Sequence, residues 1–237
     1  MIKYMIGDRM EKEFNKLLKS IDIEITTAQY NQFYRYYELL VEWNEKINLT
    51  AITDLEGVFI KHFYDSLSLV KTTTFYNQTL LDVGSGAGFP SIPLKIIYPD
   101  LKITIIDALN KRIKFLEILT NELNVDVELI HGRVEEYQRK HCFDIVTGRA
   151  VANMQMLSEL CIPFVKVDGL FLAMKGSNAA IELNDSKNAI EILGGKLIQD
   201  FEYQLEDQSR HILLIEKVSK TSPKYPRKFS QIKSNPL

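Results

Sequence analysis

Residues 80–96, LLDVGSGAGFPSIPLKI, constrain the fold of this chain more than any other stretch. An apolar run, 80–83, leads into Gly84, Gly86 and Gly88, and a helix is predicted to begin around Pro90. Glycines here let the backbone turn sharply and let a ligand approach it closely, since no Cβ intervenes. The helix start adds unpaired N–H groups and a partial positive charge. Nineteen residues after Gly88, a second β-type run ends in Asp107. In an open parallel sheet that spacing sets a carboxylate at the carboxyl edge, where it can accept hydrogen bonds from both ribose hydroxyls. Loop, flanking strand, helix and acid together predict a nucleotide-type ligand.

The loop also says which ligand. A dinucleotide fingerprint asks for glycine or alanine at the sixth position of GxGxxG, and this chain has Phe89 there. The spacing is instead GxGxG, preceded by Asp82. A carboxylate just before the loop suits the ammonium or sulfonium side of S-adenosylmethionine, and Phe89 would obstruct a pyrophosphate. S-adenosylmethionine is therefore favoured over NAD.

The surrounding grammar agrees. Short apolar or β-branched runs at 80–83, 102–106, 125–130, 143–147 and 169–174 alternate with helix-length segments. Such alternation implies right-handed βαβ units and a parallel sheet covered on both faces. Two last runs, 196–203 and 211–218, have no helix between them and should pair antiparallel at an edge. The predicted fold class is α/β: a Rossmann-like class I methyltransferase, with a mostly parallel seven-stranded sheet, helices on both faces and an N-terminal helical extension. The expected division is an extension over 1–75, a catalytic domain over 76–218 and a basic tail over 219–237.

In the extension, Phe14, Leu17, Leu18 and Ile21 fall at i, i+3, i+4 and i+7. Thr26 with Gln29 forms a capping box. Tyr30, Phe33, Tyr34, Tyr37, Leu40 and Val41 make one aromatic-rich stripe, read as core rather than a base-stacking surface. The polar segment WNEKINLT, 43–50, ends that helix, and a third helical stretch runs over about 54–70.

Composition excludes several classes. With 46% hydrophobic residues the 237-residue chain can bury a sizeable core. A net charge of −2 gives no global sign of a polyanion partner, so any nucleic-acid surface must be a local patch. Cys142 and Cys161 have no CxxC or paired-histidine context; they are expected as reduced thiols, and no metal site is expected. No apolar run approaches the roughly 20 residues of a membrane helix. Residues 1–12 mix charges too early for a secretory signal, so a cytoplasmic protein is expected, starting at Met1 or at Met10.

The remaining candidates lie at strand ends. After the third run come His131, Gly132, Arg133, Val134 and Glu135, where an adenine ring would sit. Val134 offers apolar and backbone contacts; Glu135 either accepts from the exocyclic amine or complements a helix dipole. Just past the fourth run stands Arg149, where the strand end meets the ligand cleft; it would meet the cofactor carboxylate or an anionic substrate, or else pair with Asp144 or a neighbouring acid. Neither the Asn/Asp-Pro-Pro-aromatic motif of exocyclic-amine methylation nor a C5-methylation cysteine is present. A ring nitrogen with a free lone pair, such as guanine N7, needs no base, and catalysis would rest on alignment and charge placement.

Across nearly the whole chain these motifs resemble the RsmG/GidB family of small-subunit (16S) ribosomal RNA guanine-N7 methyltransferases. The resemblance is carried by WNEKINLT, KHFYDSL at 61–67, DVGSGAGFPSIPLKI, NKRIKFL at 110–116, GRVEE, GRA at 148–150, MKG at 174–176 and YPRK at 225–228. Lys61, Ser91, Gly148, Ser230 and Ile232 depart from the residues common in that family. The resemblance implies cofactor contacts at Gly84, Phe89, Val134, Glu135 and Arg149, with Asn48 and Arg149 near the target base. It also implies a ribosomal RNA partner and a monomeric enzyme. Lys61, His62 and the basic tail face RNA in that reading, or are simply solvated. An NAD(P)-dependent oxidoreductase and a non-catalytic cofactor- or RNA-binding module stand as the alternatives.

Overall fold

The computed structural model describes residues 2–237, with side chains from Arg9 onward; Met1, one of the two candidate starts, lies outside them. Helix α1 (Ile2–Lys19) buries Phe14 and Leu18, and Ile21 is buried in the turn just past its end, with Leu17 at the margin. Helix α2 (Thr27–Ile47) begins at the expected capping box. Gln29 N–H reaches Thr26 Oγ1 at 3.2 Å, and Thr26 N–H reaches Gln29 Oε1 at 3.0 Å. Gln29 Nε2 also donates to the Ile96 carbonyl at 2.9 Å, so the cap fastens α2 to the rest of the molecule. Thr26→Ala should cost about 1 kcal/mol. Urea unfolding with an unchanged m-value checks this.

The buried stripe of α2 is rotated from expectation, with Tyr36 and Leu39 inside in place of Tyr34, Tyr37 and Val41. Its covered positions include Tyr30, Phe33, Tyr36 and Leu40, while Tyr34, Tyr37 and Val41 lie at the margin. Tyr36 is fully buried because its hydroxyl donates to the Ala87 carbonyl at 2.5 Å, which satisfies the one polar atom of the ring.

The stretch expected as one helix over 54–70 is four short turns. Helix α3 (Leu55–Val58) is capped by Asp54 and passes into a π turn, Phe59–Tyr64. Helix α4 (Asp65–Leu67) and a 3₁₀ turn (Ser68–Lys71) follow. The apolar spacing resembles one helix because Phe59, Phe63 and Leu67 are all fully buried, but the π turn inserts extra length between them. Phe14, Phe33, Phe59 and Phe63 interlock edge-on or tilted at 5.0–5.2 Å, and their cluster continues into the sheet through Leu80, Ile92 and Leu116.

From residue 79 the chain alternates as read. β1 (Thr79–Val83), α5 (Ser91–Ile97), β2 (Lys102–Asp107), α6 (Asn110–Leu123) and β3 (Glu128–His131) form the first half. β4 (Phe143–Arg149), α7 (Met154–Cys161), β5 (Val165–Lys175), α8 (Ala179–Ile192), β6 (Gly195–Leu205) and β7 (Gln208–Lys217) complete the sheet. Strand order is β3-β2-β1-β4-β5-β7-β6, with β7 antiparallel to both of its neighbours. The order reverses between β1 and β4, which opens a crevice at their carboxyl ends.

The tail is not a loose basic arm. Arg227 forks onto Glu159, which is completely buried, with contacts of 2.6–2.8 Å to its two oxygens. Lys217 is buried as well, its ammonium enclosed by Thr221 and the carbonyls of Ile162 and Leu193. Tyr225 and, from helix α9 (Phe229–Ser234), Ile232 fill the second core cluster. Two of the six basic residues counted from 217 onward are therefore internal; Lys220, Lys224, Lys228 and Lys233 remain exposed.

Candidate functional site

The glycine loop stands at the β1/β4 crevice. Gly84, Gly86 and Gly88 have φ of 70°, 64° and 101°, all in the left-handed region. Around an added Cβ, Gly86 has nothing within 4 Å, whereas Gly88 meets Ile92 and the Tyr36 hydroxyl at 2.8 Å. One glycine thus leaves open space on the ligand side and another lets the loop seat on α2. Asp107 ends β2 as expected. Its Oδ2 accepts Gly86 N–H at 3.2 Å and faces Arg112 at 3.3 Å; its Oδ1 accepts Leu109 N–H at 2.8 Å. The carboxylate is thereby fixed beside the open face of the loop.

Asp82 is completely buried. Its Oδ2 accepts the Ser91 hydroxyl at 2.5 Å, while its Oδ1 has no partner. Burial pushes the carboxyl up to about 7 against the opposing pull of the Ser91 hydrogen bonds. An unpartnered carboxylate oxygen behind an open glycine turn, with a second carboxylate at the next strand end, fits a cationic ligand carrying a ribose. Val134 is buried in a short 3₁₀ turn, Val134–Glu136, past the end of β3. The Glu135 side chain is only 7% exposed, and its nearest cation, Arg133, is 3.9 Å away.

Phe89 was placed by the sequence at the loop's edge. Its ring is covered, stacked on Tyr36 at 5.3 Å and on His62 at 4.6 Å, with the Arg149 guanidinium 4.8 Å from its centre. It is a platform for Arg149.

Arg149 does pair with an acid, but the acid is Asp65 and not Asp144. Asp144 is taken by Lys166 and by the Thr79 hydroxyl and N–H. Arg149 Nη1 reaches Asp65 Oδ2 at 2.9 Å and the Lys61 carbonyl at 3.3 Å; Nη2 reaches His62 Nδ1 at 3.2 Å. All three partners come from the π turn and the residue after it, so the wider turn is what brings them to one guanidinium. Asp65 Oδ1 in turn accepts the Tyr203 hydroxyl at 2.7 Å, from the β6–β7 hairpin.

His62 is neutral in this setting. Its Nε2 lies 2.8 Å from Thr50 Oγ1, and its Nδ1 lies 3.1 Å from the Lys61 carbonyl and 3.2 Å from Arg149 Nη2. Burial first, and then the Arg149 charge, lower the imidazole to about 3. Lys61, by contrast, is part-exposed and pairs with Glu206 at 2.9 Å.

Asn48 is exposed at the left-handed end of α2, two residues before Thr50. The polar break that contains it is organised by Asn44, whose Oδ1 accepts the N–H groups of Leu49 and Thr50 at 2.6 and 2.8 Å. Asp65, Tyr203, Tyr36 and Asn44 were not anticipated. KHFYDSL, which places Asp65 close behind His62, and WNEKINLT, which contains Asn44, held a signal for two of them.

Next to Arg149 a cleft of about 590 Å³ opens between the π turn, the β4 and β5 ends and the start of α8. Val151 lines it and would stand 3.0 Å from a Cβ on Gly84, so cleft and glycine loop share a wall. A cavity of similar size, about 610 Å³, lies at the opposite, amino edge of the sheet around Thr79, Lys102 and Glu128. The amino edge lies away from the glycine loop, and ligands of open α/β sheets bind at the carboxyl edge. Among the described residues no helix is long and apolar enough to cross a membrane.

The family model for rRNA small subunit methyltransferase G matches residues 29–213. A ribosomal RNA small subunit methyltransferase G of Lactococcus lactis is 50% identical over 233 residues, 95% of this chain and 98% of that protein. Its counterpart in Streptococcus gordonii is 52% identical over 234 residues, 95% and 99% of the two chains. Among solved structures, a methyltransferase from Pyrococcus furiosus superposes with a TM-score of 0.57 at 15% identity, over 80% of this chain and 99% of that one. M. jannaschii TYW2 in complex with AdoMet gives 0.57 at 16% identity, over 71% and 80%. At such identities the two structures establish a shared fold, that of the class I methyltransferases.

Proposed function

From the premise that the chain belongs to the rRNA small subunit methyltransferase G family, we propose that it moves a methyl group from S-adenosylmethionine to N7 of a guanine in small-subunit ribosomal RNA. It is a methyltransferase enzyme with S-adenosylmethionine as its cofactor. The oxidoreductase and non-catalytic readings find no support. The observation that carries the proposal is the wall shared by the glycine loop and the Arg149 cleft, which supports reading the first as the cofactor site and the second as the acceptor site.

In this reading each residue takes a role that its placement supports. Gly84, Gly86 and Gly88 shape the cofactor loop; Asp107 holds the ribose; Val134 and Glu135 flank the adenine. Asp82 supplies a buried negative charge behind the loop, and Phe89 supports Arg149. S-adenosylmethionine, when bound, contributes an electrophilic methyl carried on a sulfonium. Arg149, with Asn48 at the rim, aligns the acceptor base and places charge beside the reacting atoms. His62 and Asp65 are already hydrogen-bonded to Arg149, Thr50 and Tyr203, so neither is presented to the acceptor as a general base. That suits an acceptor that attacks through a lone pair and loses none. The enzyme works as a monomer in the cytoplasm.

The test is methyl incorporation into small-subunit RNA from a strain lacking the activity, with the position mapped by cleavage at N7-methylguanine. Labelled RNA that resists this cleavage would place the methyl elsewhere and end the N7 reading.

Asp82 offers a separate check on the cofactor. With its carboxyl at about 7, roughly half the molecules carry the proton at neutral pH. A cation bound beside the loop favours the ionised form, so binding should release up to roughly half a proton at pH 7. Calorimetry with S-adenosylmethionine in buffers of different ionisation enthalpy reads this directly. Asp82→Asn should abolish the buffer dependence.

A further inference from the structure

We propose that Glu182 selects guanine, its Oε1 accepting the N1–H and N2–H of the base held in the cleft beside Arg149. This rests on the reading that the cleft takes the acceptor base.

Glu182 stands in the first turn of α8 and lines the cleft with Arg149, Val151, Ala152 and Lys175. Its Oε2 is held twice, by Met154 N–H at 2.8 Å and by Lys175 Nζ at 2.7 Å. Lys175, its side chain only 8% exposed, is itself fixed by the Ala152 carbonyl at 2.7 Å. Among the described residues Oε1 has no hydrogen-bond partner. One oxygen is therefore an anchor and the other is left to the cleft, on a carboxylate that cannot swing away without breaking two bonds.

An ionised carboxylate only accepts. Guanine presents two adjacent N–H donors, at N1 and N2, whereas adenine presents a bare N1 acceptor that would face the carboxylate oxygen with like charge. The matched edge is also the far one from N7, with O6 between them. Holding guanine by N1 and N2 thus leaves N7 free at the opposite end of the purine. Lys175 Nζ, 2.7 Å from Oε2, pairs with this carboxylate and holds it in place at the cleft wall.

The experiment compares small-subunit RNA carrying guanine or inosine at the mapped position; inosine lacks only the N2 amine. The wild type should lose roughly 10-fold in kcat/KM on inosine. Glu182→Ala and Glu182→Gln should lose on the order of 10- to 100-fold on guanine. The two variants should no longer distinguish guanine from inosine, and should bind S-adenosylhomocysteine normally. Equal losses on both RNAs, with the wild-type preference intact, would make Glu182 structural and overturn the proposal. Ala152→Trp separates this from failure of the underlying reading. If the cleft takes the base, that variant binds S-adenosylhomocysteine but does not methylate. Methylation at the wild-type rate would remove the cleft, and Glu182 with it.

Discussion

Arg149→Leu should lower kcat for methyl transfer by roughly 100- to 1000-fold, the range seen when one positioned donor is removed from a transition state. S-adenosylhomocysteine should bind with a much smaller loss, since the glycine loop and Asp107 are untouched. The same change strips Asp65, 4% exposed, of its closest cation and leaves it the Tyr203 hydroxyl and Arg210 at 3.8 Å. Stability should therefore fall by about 3 kcal/mol, the lower part of the range for breaking a buried pair. Asp65→Asn separates the two effects. Because Asp65 acts through Arg149, the single variant should lose roughly 10-fold in kcat, and it should add nothing to Arg149→Leu. In the double variant no unpaired carboxylate remains, so part of the lost stability returns. Single-turnover methylation and thermal melts of the four proteins complete the cycle. An Arg149→Leu enzyme with near wild-type kcat would remove Arg149 from the reacting centre.

Arg149 also marks how far the sequence reaches. Its position near a strand end was legible because strand period and glycine spacing are local properties, although β4 runs two residues past the expected 147, to Arg149 itself. Its partner was not. Asp144 is five residues away on the same strand and Asp65 is 84 residues away. Pairing across that distance depends on the π turn, Phe59–Tyr64, and a π turn leaves no mark on an apolar spacing that already fits an α-helix. Tyr36 was missed for a related reason. Its neighbours Tyr34 and Tyr37 belong to an equally good stripe, and only the Ala87 carbonyl, 51 residues on, decides which tyrosine goes inside. The tail misled by composition: Arg227 and Lys217 count as basic residues in the sequence but serve as internal partners to Glu159 and to backbone carbonyls. Local chemistry was readable; the long-range partner of each charged group was not.

The glycine loop can be divided experimentally along the line the structure draws through it. In Gly88→Ala the new Cβ must sit at φ 101°, 2.8 Å from both Ile92 Cγ1 and the Tyr36 hydroxyl and 3.0 Å from Leu116 Cδ2. Backbone strain contributes about 1–3 kcal/mol. Forcing apart a packed contact adds about 1–3 kcal/mol more. A loss of about 3–5 kcal/mol follows, a fall in Tm of roughly 10 °C for a chain of this size. Tyr36→Phe removes one clashing atom, so in that background the penalty of Gly88→Ala should shrink measurably. Gly86→Ala is the contrasting case. Its φ of 64° costs about 1–2 kcal/mol, but no atom lies within 4 Å of the added methyl. The methyl enters the open face beside Asp107, where the cofactor is proposed to lie. That protein should melt within a few degrees of the wild type yet bind S-adenosylhomocysteine at least roughly 10-fold more weakly, the scale of a misplaced methylene in a ligand pocket. Opposite outcomes, with Gly86→Ala unstable and Gly88→Ala unable to bind but fully stable, would invert the assignment of the two faces of the loop. The prediction therefore tests which side of one short turn belongs to the core and which to the ligand.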